Sequence, residues 1–263
     1  MDEALPGKVV RAVELLTSPH KFAFASGDQA DYERWAVGES VGRTTARGAN
    51  TYTQVGPARS LVLGHGGARI LLHETEDTVP RKHQLHLAFD DGTHLTVSIQ
   101  GWGSVGLMTP EEIAGNEYLS KPGVSPGGDE FTWEHFADLL TQVGPGDKRS
   151  VKYFVISEPG VLGVGNGYTQ DILFRAGLHP RHRVSDLTAA QGRALYDGVR
   201  SVLAEAIELG GRDTEHDLYD ASGGYVPVLD RRAVGRPCPS CSTPIEKASY
   251  LGGAVYFCPA CQT

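Results

Sequence analysis

The stretch CPSCSTPIEKASYLGGAVYFCPACQ, residues 238–262, holds every cysteine of a 263-residue chain. Their order is C-x2-C, sixteen residues, then C-x2-C: Cys238, Cys241, Cys258 and Cys261. Two residues between paired thiolates let a tight turn aim both sulfurs at one ion, with backbone N–H groups supporting them. Two such turns complete a tetrahedral shell and leave no open position for a catalytic water. Between them, SYLGGAVYF reads as a β-hairpin turning at Gly252-Gly253. The expectation is a structural zinc ribbon holding one Zn2+, a staple for a segment too small to fold alone. A redox pair or coincidence would leave the doubled spacing unexplained.

Working outward, the length suits one large domain or two modest ones with a proper core. Hydrophobic residues at 40% and charged residues at 21% are globular values, which argues against a disordered chain. No apolar run approaches the roughly 18 residues of a membrane span, and MDEALPGKVV lacks a basic-then-apolar leader pattern. A cytoplasmic protein is therefore expected, where reduced thiols read as metal ligands before disulfides. Net charge is −8, from 24 basic and 32 acidic residues. Residues 1–144 carry 11 basic and 19 acidic side chains, and residues 145–263 carry 13 of each. Any phosphate-binding surface is thus expected in the second half.

The first half reads as β-rich. In QLHLAFDDGTHLTVSIQ, Leu85, Leu87 and Phe89 alternate with other residues, Asp90-Asp91-Gly92 turns the chain, and Leu95, Val97 and Ile99 alternate again. Residues 60–74 read as a second hairpin around His65-Gly66-Gly67. The histidines here (His65, His73, His83, His86 and His94) follow no recognised ligand spacing and are expected on strand faces or in solvent. The pairs Asp90-Asp91 and Glu111-Glu112 read as solvated turn and helix-start residues. LSKPGVSPGGDE, residues 119–130, is the expected domain linker. Beyond it, Trp133, Phe136, Leu139 and Leu140 share a helix face behind a Thr132 cap. A longer helix over 188–209 carries Thr188 and Gln191 at capping-box spacing and stops at Gly210-Gly211. The chain is expected to stay helical up to the cysteines.

The Gly-rich run VLGVGNGYTQDILFRAGLHP approaches a short helix with Tyr168, Ile172, Leu173 and Ala176 on its buried face. Asn166 falls at or near its N-terminus, where backbone N–H groups and the helix dipole attract anions. Taken alone, the run equally suits a plain turn with an Asn cap. HPRHR, residues 179–183, reads as an exposed loop.

That loop together with the cysteine hairpin resembles the formamidopyrimidine-DNA glycosylase and endonuclease VIII family of base-excision repair enzymes. SVKYFV, GVGNGYTQDILFRAGLHP, GGRDT and GRPCPSC…YFCPACQ carry the likeness, and KHQLHLAFDDG extends it more loosely into the first half. The resemblance implies an α+β chain: a β-sandwich domain (1–118), the linker (119–130), a helical helix–two-turns–helix domain (131–232) and a zinc-finger β-hairpin (233–263). It implies a glycosylase that removes a damaged base and cleaves the strand as an AP lyase through a Schiff base. Lys152 and Asn166 match the residues that grip phosphates flanking the lesion, and the four cysteines match the zinc ligands. The partner implied is damaged double-stranded DNA, bound by a monomer associated with the nucleoid, with no membrane role.

Three departures stand out. The family's nucleophile is an N-terminal proline amine followed by glutamate, but the first proline here, Pro6, has an amide nitrogen, so no catalytic residue is assigned. ALPGKVVRAVELL already resembles the turn and first strand that follow the family's opening helix, so the expectation is that upstream residues bearing Pro-Glu are missing. Where the family's zinc hairpin carries a phosphate-binding arginine, this sequence has Gly253, or its neighbour Gly252. Where many members have arginines and an aromatic wedge, it reads SIQGWGSVGLM. There Gln100 and Trp102 either fill the vacated base stack or, in the case of Trp102, pack at a strand end. The alternative function is a non-catalytic, zinc-containing protein that binds damaged DNA; a third is a zinc-stabilised protein-interaction module.

Overall fold

Strand alternation in the first half and 3.6-residue periodicity in the second build two separate cores. The computed structural model describes residues 1–64, 68–121 and 123–263. It divides into one unit of Met1–Pro122 with Thr214–Gly223, and a second of Gly123–Asp213 with Gly224–Thr263.

The first unit is a β-sandwich. One sheet has the order β1-β7-β8-β6, formed by Val10–Leu15, Leu85–Phe89, His94–Ile99 and Ala68–His73. The other has the order β2-β9-β5-β4-β3, formed by Ala23–Ser26, Gly103–Met108, Arg59–Gly64, Asn50–Val55 and Val41–Arg47. Val13, Leu85, Leu87, Phe89, Leu95 and Val97 from the first sheet meet Val41, Leu61, Leu63, Val105 and Leu107 from the second in one core. Helix α1 (Gln29–Ala36) adds Tyr32, whose hydroxyl donates to the Val105 carbonyl. The short α2 (Pro110–Gly115) starts on a Thr109–Glu112 capping box, which gives Glu112 a local structural task.

The β7–β8 hairpin forms as its alternation predicts, with Gly92 in the left-handed conformation at the turn. The expected hairpin over 60–74 does not form. Its turn, His65-Gly66-Gly67, lies outside the described residues, and its two strands belong to opposite sheets. Both strands carry short, nearly continuous apolar runs, and periodicity does not distinguish a hairpin from a crossing between sheets. Of the histidines expected on strand faces or in solvent, His73, His86 and His94 lie on strands and His83 just before Leu85–Phe89; all four are buried, and His65 lies outside the described residues.

The second unit packs α3 (Trp133–Thr141), α4 (Val151–Ile156), α5 (Asn166–Arg175) and α6 (Ala189–Glu208) around Phe136, Phe154, Ile172, Leu173, Leu195, Val199 and Val202. Thr132 and Thr188 cap α3 and α6 as read from sequence. Gly210 and Gly211, both left-handed, end α6. Gly198 lets α6 approach α5 closely, because a Cβ there would lie 2.9 Å from the Ile172 carbonyl oxygen.

Helix does not continue to the cysteines: past Glu208 the chain is irregular up to β10 (Glu246–Tyr250) and β11 (Gly253–Phe257). Residues 214–223, expected in the helical domain, group with the sandwich. Leu72 N–H donates to the Leu218 carbonyl at 2.8 Å, and Arg69 pairs with Asp220. The division at 122/123 falls within the segment read as a linker, and the cysteine hairpin groups with the helices. Buried Asp171 of α5 secures the returning chain by accepting from Tyr225 Oη at 2.8 Å, Val228 N at 2.9 Å and Leu229 N at 2.8 Å. Burial raises the Asp171 carboxyl above its ordinary range, and the three donors partly offset it.

Candidate metal centre and nucleic-acid interface

The four cysteine sulfurs come together. Cys238 Sγ lies 3.8 Å from Cys261 Sγ, Cys241 Sγ lies 3.4 Å from Cys258 Sγ, and all four fall within 4.8 Å of one another. These separations are far beyond the ~2.05 Å of a disulfide. They match the edges of about 3.8 Å of a tetrahedron of sulfurs around an ion with metal–sulfur bonds of ~2.3 Å. Ser240 N–H donates to Cys238 Sγ and Cys261 N–H to Cys258 Sγ, each at 3.4 Å, as paired-cysteine turns require. The cluster can therefore hold one metal ion. Cys238 and Cys258 join Leu229 and Ile245 in a small third core against Phe174 and Tyr256. Gln262 ties this knuckle to the loop after α5, accepting from Cys258 N at 2.8 Å and donating to the Leu178 carbonyl at 2.9 Å.

The hairpin turns one residue earlier than expected. Tyr250 pairs with Gly253, and the two turn residues are Leu251 and Gly252, with φ of 53° and 72°. This is the left-handed pair of a tight hairpin turn. Gly253 is the first residue of β11, so an L side chain suits position 253 and strains position 252.

Both residues matched to phosphate grip reach this hairpin. Lys152, on α4, is 1% exposed, and its Nζ donates to the Tyr250 carbonyl at 2.8 Å. Burial lowers its pKa from the usual lysine range. Asn166 is exposed as the first residue of α5, behind Gly165 as N-cap, and its Nδ2 donates to the Ala254 carbonyl at 3.3 Å. A Cβ placed on Gly253 would lie 3.7 Å from Asn166 Nδ2 and 3.8 Å from Lys152 Nζ, in ordinary contact with both.

Sequence reasoning missed three supporting residues. Gln170, one turn into α5, bridges helix to hairpin by donating to the Ala254 carbonyl and accepting from Tyr256 N. Arg181, in the segment read as an exposed loop, lays its guanidinium 4.3 Å from the Tyr250 ring centroid and donates to the Ser249 carbonyl. Arg212 lies over the Tyr168 ring and against Gly167 Cα, so a side chain at 167 would displace it. The second glycine of G-N-G lets the Arg212 guanidinium lie beside it, and Arg212 in GGRDT was the available signal. In the sandwich unit, Trp102 is 61% exposed, with its ring 4.8 Å from that of Phe22 and 5.7 Å from that of Phe24. No described helix is long and apolar enough to cross a membrane.

Residues 123–217 match the family model described as the formamidopyrimidine-DNA glycosylase H2TH domain. The formamidopyrimidine-DNA glycosylase of Bacillus subtilis (strain 168) is 32% identical over 200 residues, covering 73% of this chain and 70% of the relative. Among solved structures, a complex between the Lactococcus lactis Fpg and DNA containing an abasic site superposes with a TM-score of 0.83 at 22% identity. It covers 100% of this chain and 95% of that one. A complex of an L. lactis Fpg mutant with DNA containing Fapy-dG gives 0.84 at 21% identity with the same coverage. At these identities the structures speak for the fold: an α+β chain of β-sandwich and helical unit. The formamidopyrimidine-DNA glycosylase of Symbiobacterium thermophilum is 32% identical over 273 residues, covering 97% of this chain and 83% of the relative, and on that match this chain belongs to the formamidopyrimidine-DNA glycosylase family.

Proposed function

We propose that this protein is a DNA repair glycosylase with AP lyase activity, which excises a damaged base from double-stranded DNA and cleaves the strand through a Schiff base. The observation that carries the reading is the meeting of Asn166, Lys152 and the hairpin backbone at the N-terminus of α5. An extruded nucleotide has lost a few kcal/mol of stacking, and clamping its flanking phosphates compensates. Helix N–H groups, the Asn166 amide and nearby cations bind phosphate. Asn166 makes the direct contact, and Lys152 supplies its charge from beneath the hairpin. The cysteines hold one structural Zn2+, whose preference for tetrahedral thiolate shells fits the sulfur spacing. Trp102 stacks against the bases beside the vacated position. The protein acts as a monomer on chromosomal DNA in the cytoplasm.

The lyase step needs an amine that attacks the sugar C1′. Pro6, the first proline of the sequence, offers an amide nitrogen instead. The second reading is a non-catalytic, zinc-containing binder of damaged DNA. Borohydride trapping on an abasic duplex separates the two, using this chain and one extended through its upstream codons. A covalent adduct supports the lyase. Binding without an adduct in either form supports the binder.

Two further results are expected. Gly253→Arg places a guanidinium beside Asn166 and Lys152, so DNA affinity rises about tenfold at low salt. The slope of log K against log[salt] steepens by about 0.9. Fluorescence anisotropy across a salt series checks this, and an unchanged slope counts against a phosphate site at the tip. The second result concerns pH. Below its pKa Lys152 is an ammonium and attracts phosphate; above it the amine is neutral. Because burial lowers that pKa, affinity is expected to fall with rising pH before the ordinary lysine range near 10.5 is reached. Lys152→Met should be weaker at neutral pH and lack this alkaline decline.

A further inference from the structure

A second cluster of ligand atoms lies in the sandwich unit, in residues the DNA reading does not use. Glu14 on β1 stands directly opposite His86 on β7 in the antiparallel register, and His83 lies just before β7. Glu14 Oε2 is 3.3 Å from His83 Nε2 and 3.4 Å from His86 Nδ1, and the three ligand atoms all lie within 4.8 Å of one another.

The hydrogen bonds around the two rings decide what this cluster is for. His83 is 3% exposed, and its Nδ1 lies 2.9 Å from the Pro80 carbonyl oxygen. A carbonyl only accepts, so a ring proton sits on Nδ1, and in the neutral ring Nε2 carries the lone pair. That buried Nε2 has no hydrogen-bond partner and faces the Glu14 carboxylate. A neutral ring and a carboxylate facing each other at such a distance repel unless a cation or a proton lies between them. His86 Nε2 is 2.9 Å from Nδ1 of His94, whose ring stacks on it, and its own Nδ1 points to the same carboxylate. Both imidazoles therefore have one nitrogen anchored and the other aimed at a shared point, as metal-ligating histidines do.

The distances agree. Zinc–nitrogen and zinc–oxygen bonds of about 2.0–2.2 Å at tetrahedral angles require ligand–ligand edges of roughly 3.3–3.6 Å. Both edges from Glu14 fall in that range.

We infer that Glu14, His83 and His86 form a second metal site, for a divalent transition ion of the zinc class, with His94 and the Pro80 carbonyl orienting the imidazoles. Two imidazoles and one carboxylate suit Zn2+, Co2+ or Ni2+, whereas Mg2+ and Ca2+ prefer all-oxygen shells. The Glu14 side chain is 59% exposed, so the site opens to solvent on that side and exchanges its ion more readily than the thiolate cluster. The inference stands independently of DNA binding.

The test is a Co2+ titration of the full chain with the cysteine cluster already filled by zinc, followed by calorimetry and visible absorption. One further equivalent is expected, with ligand-field bands but no thiolate-to-cobalt charge transfer. Glu14→Gln, at a half-exposed position that tolerates the change, should weaken uptake by at least about tenfold. His83→Gln should abolish it. DNA affinity should stay unchanged in Glu14→Gln. Uptake of no ion beyond the cysteine site, or a second equivalent indifferent to both substitutions, overturns the inference and leaves a proton as the bridge.

Discussion

Removing the metal from the cysteine cluster is expected to reduce affinity for abasic DNA by at least about a hundredfold while leaving the sandwich unit folded. Structural zinc contributes apparent binding free energies of about 10–16 kcal/mol in small zinc modules, so such a hairpin does not persist without its ion. Here the hairpin supplies the carbonyls of Tyr250 and Ala254 that hold Lys152 and Asn166. Losing it releases both groups from their common geometry. Cys258→Ser should reproduce the effect of a chelator, since Cys258 is fully buried in the small core beneath the cluster. Zinc analysis, the strand signal in circular dichroism and anisotropy titration together check the prediction. Undiminished DNA affinity in zinc-free protein would separate the hairpin from binding. Glu14→Gln serves as the control for loss of the second ion.

The second large effect is expected at Asp171. Replacing it with alanine leaves the Tyr225 hydroxyl and the Val228 and Leu229 N–H groups without their acceptor. Two of these donors, on Tyr225 and Leu229, are buried, and each buried unsatisfied donor costs about 1–3 kcal/mol, so Asp171→Ala should destabilise the helical unit by about 2–6 kcal/mol. Asp171→Asn keeps one carbonyl acceptor and should cost less, about 1–2 kcal/mol. Urea unfolding followed through the helical dichroism signal reads both. A loss below about 1 kcal/mol for Asp171→Ala would mean that the segment leading to the cysteines is anchored elsewhere.

The parts of this molecule legible in sequence were those with a local physical signature. The cysteine spacing needs no tertiary knowledge, because each C-x2-C turn carries its own geometry. Thr132 and Thr188 announce helix starts through bonds made within four residues, and Asp-Asp-Gly announces the β7–β8 turn. What sequence could not give depends on long-range partners. The strands on either side of residues 65–67 look like a hairpin and pair with different sheets. Leu218 and Asp220 return to the sandwich unit from a stretch that sequence position assigned to the helices. His83 and His86 have no ligand spacing along the chain, because their third partner, Glu14, arrives through strand pairing. Arg212 meets the start of α5 from a segment more than forty residues on, over the Tyr168 ring and beside Gly167.

The most direct test of the central claim is equilibrium binding to two duplexes of one sequence, one with a stable abasic-site analogue and one intact, in dilute and in moderate salt. Tighter binding to the abasic duplex, lost in Asn166→Ala and weakened steadily by salt, is the predicted result. Equal affinity for both duplexes, or no binding even in dilute buffer, would contradict it.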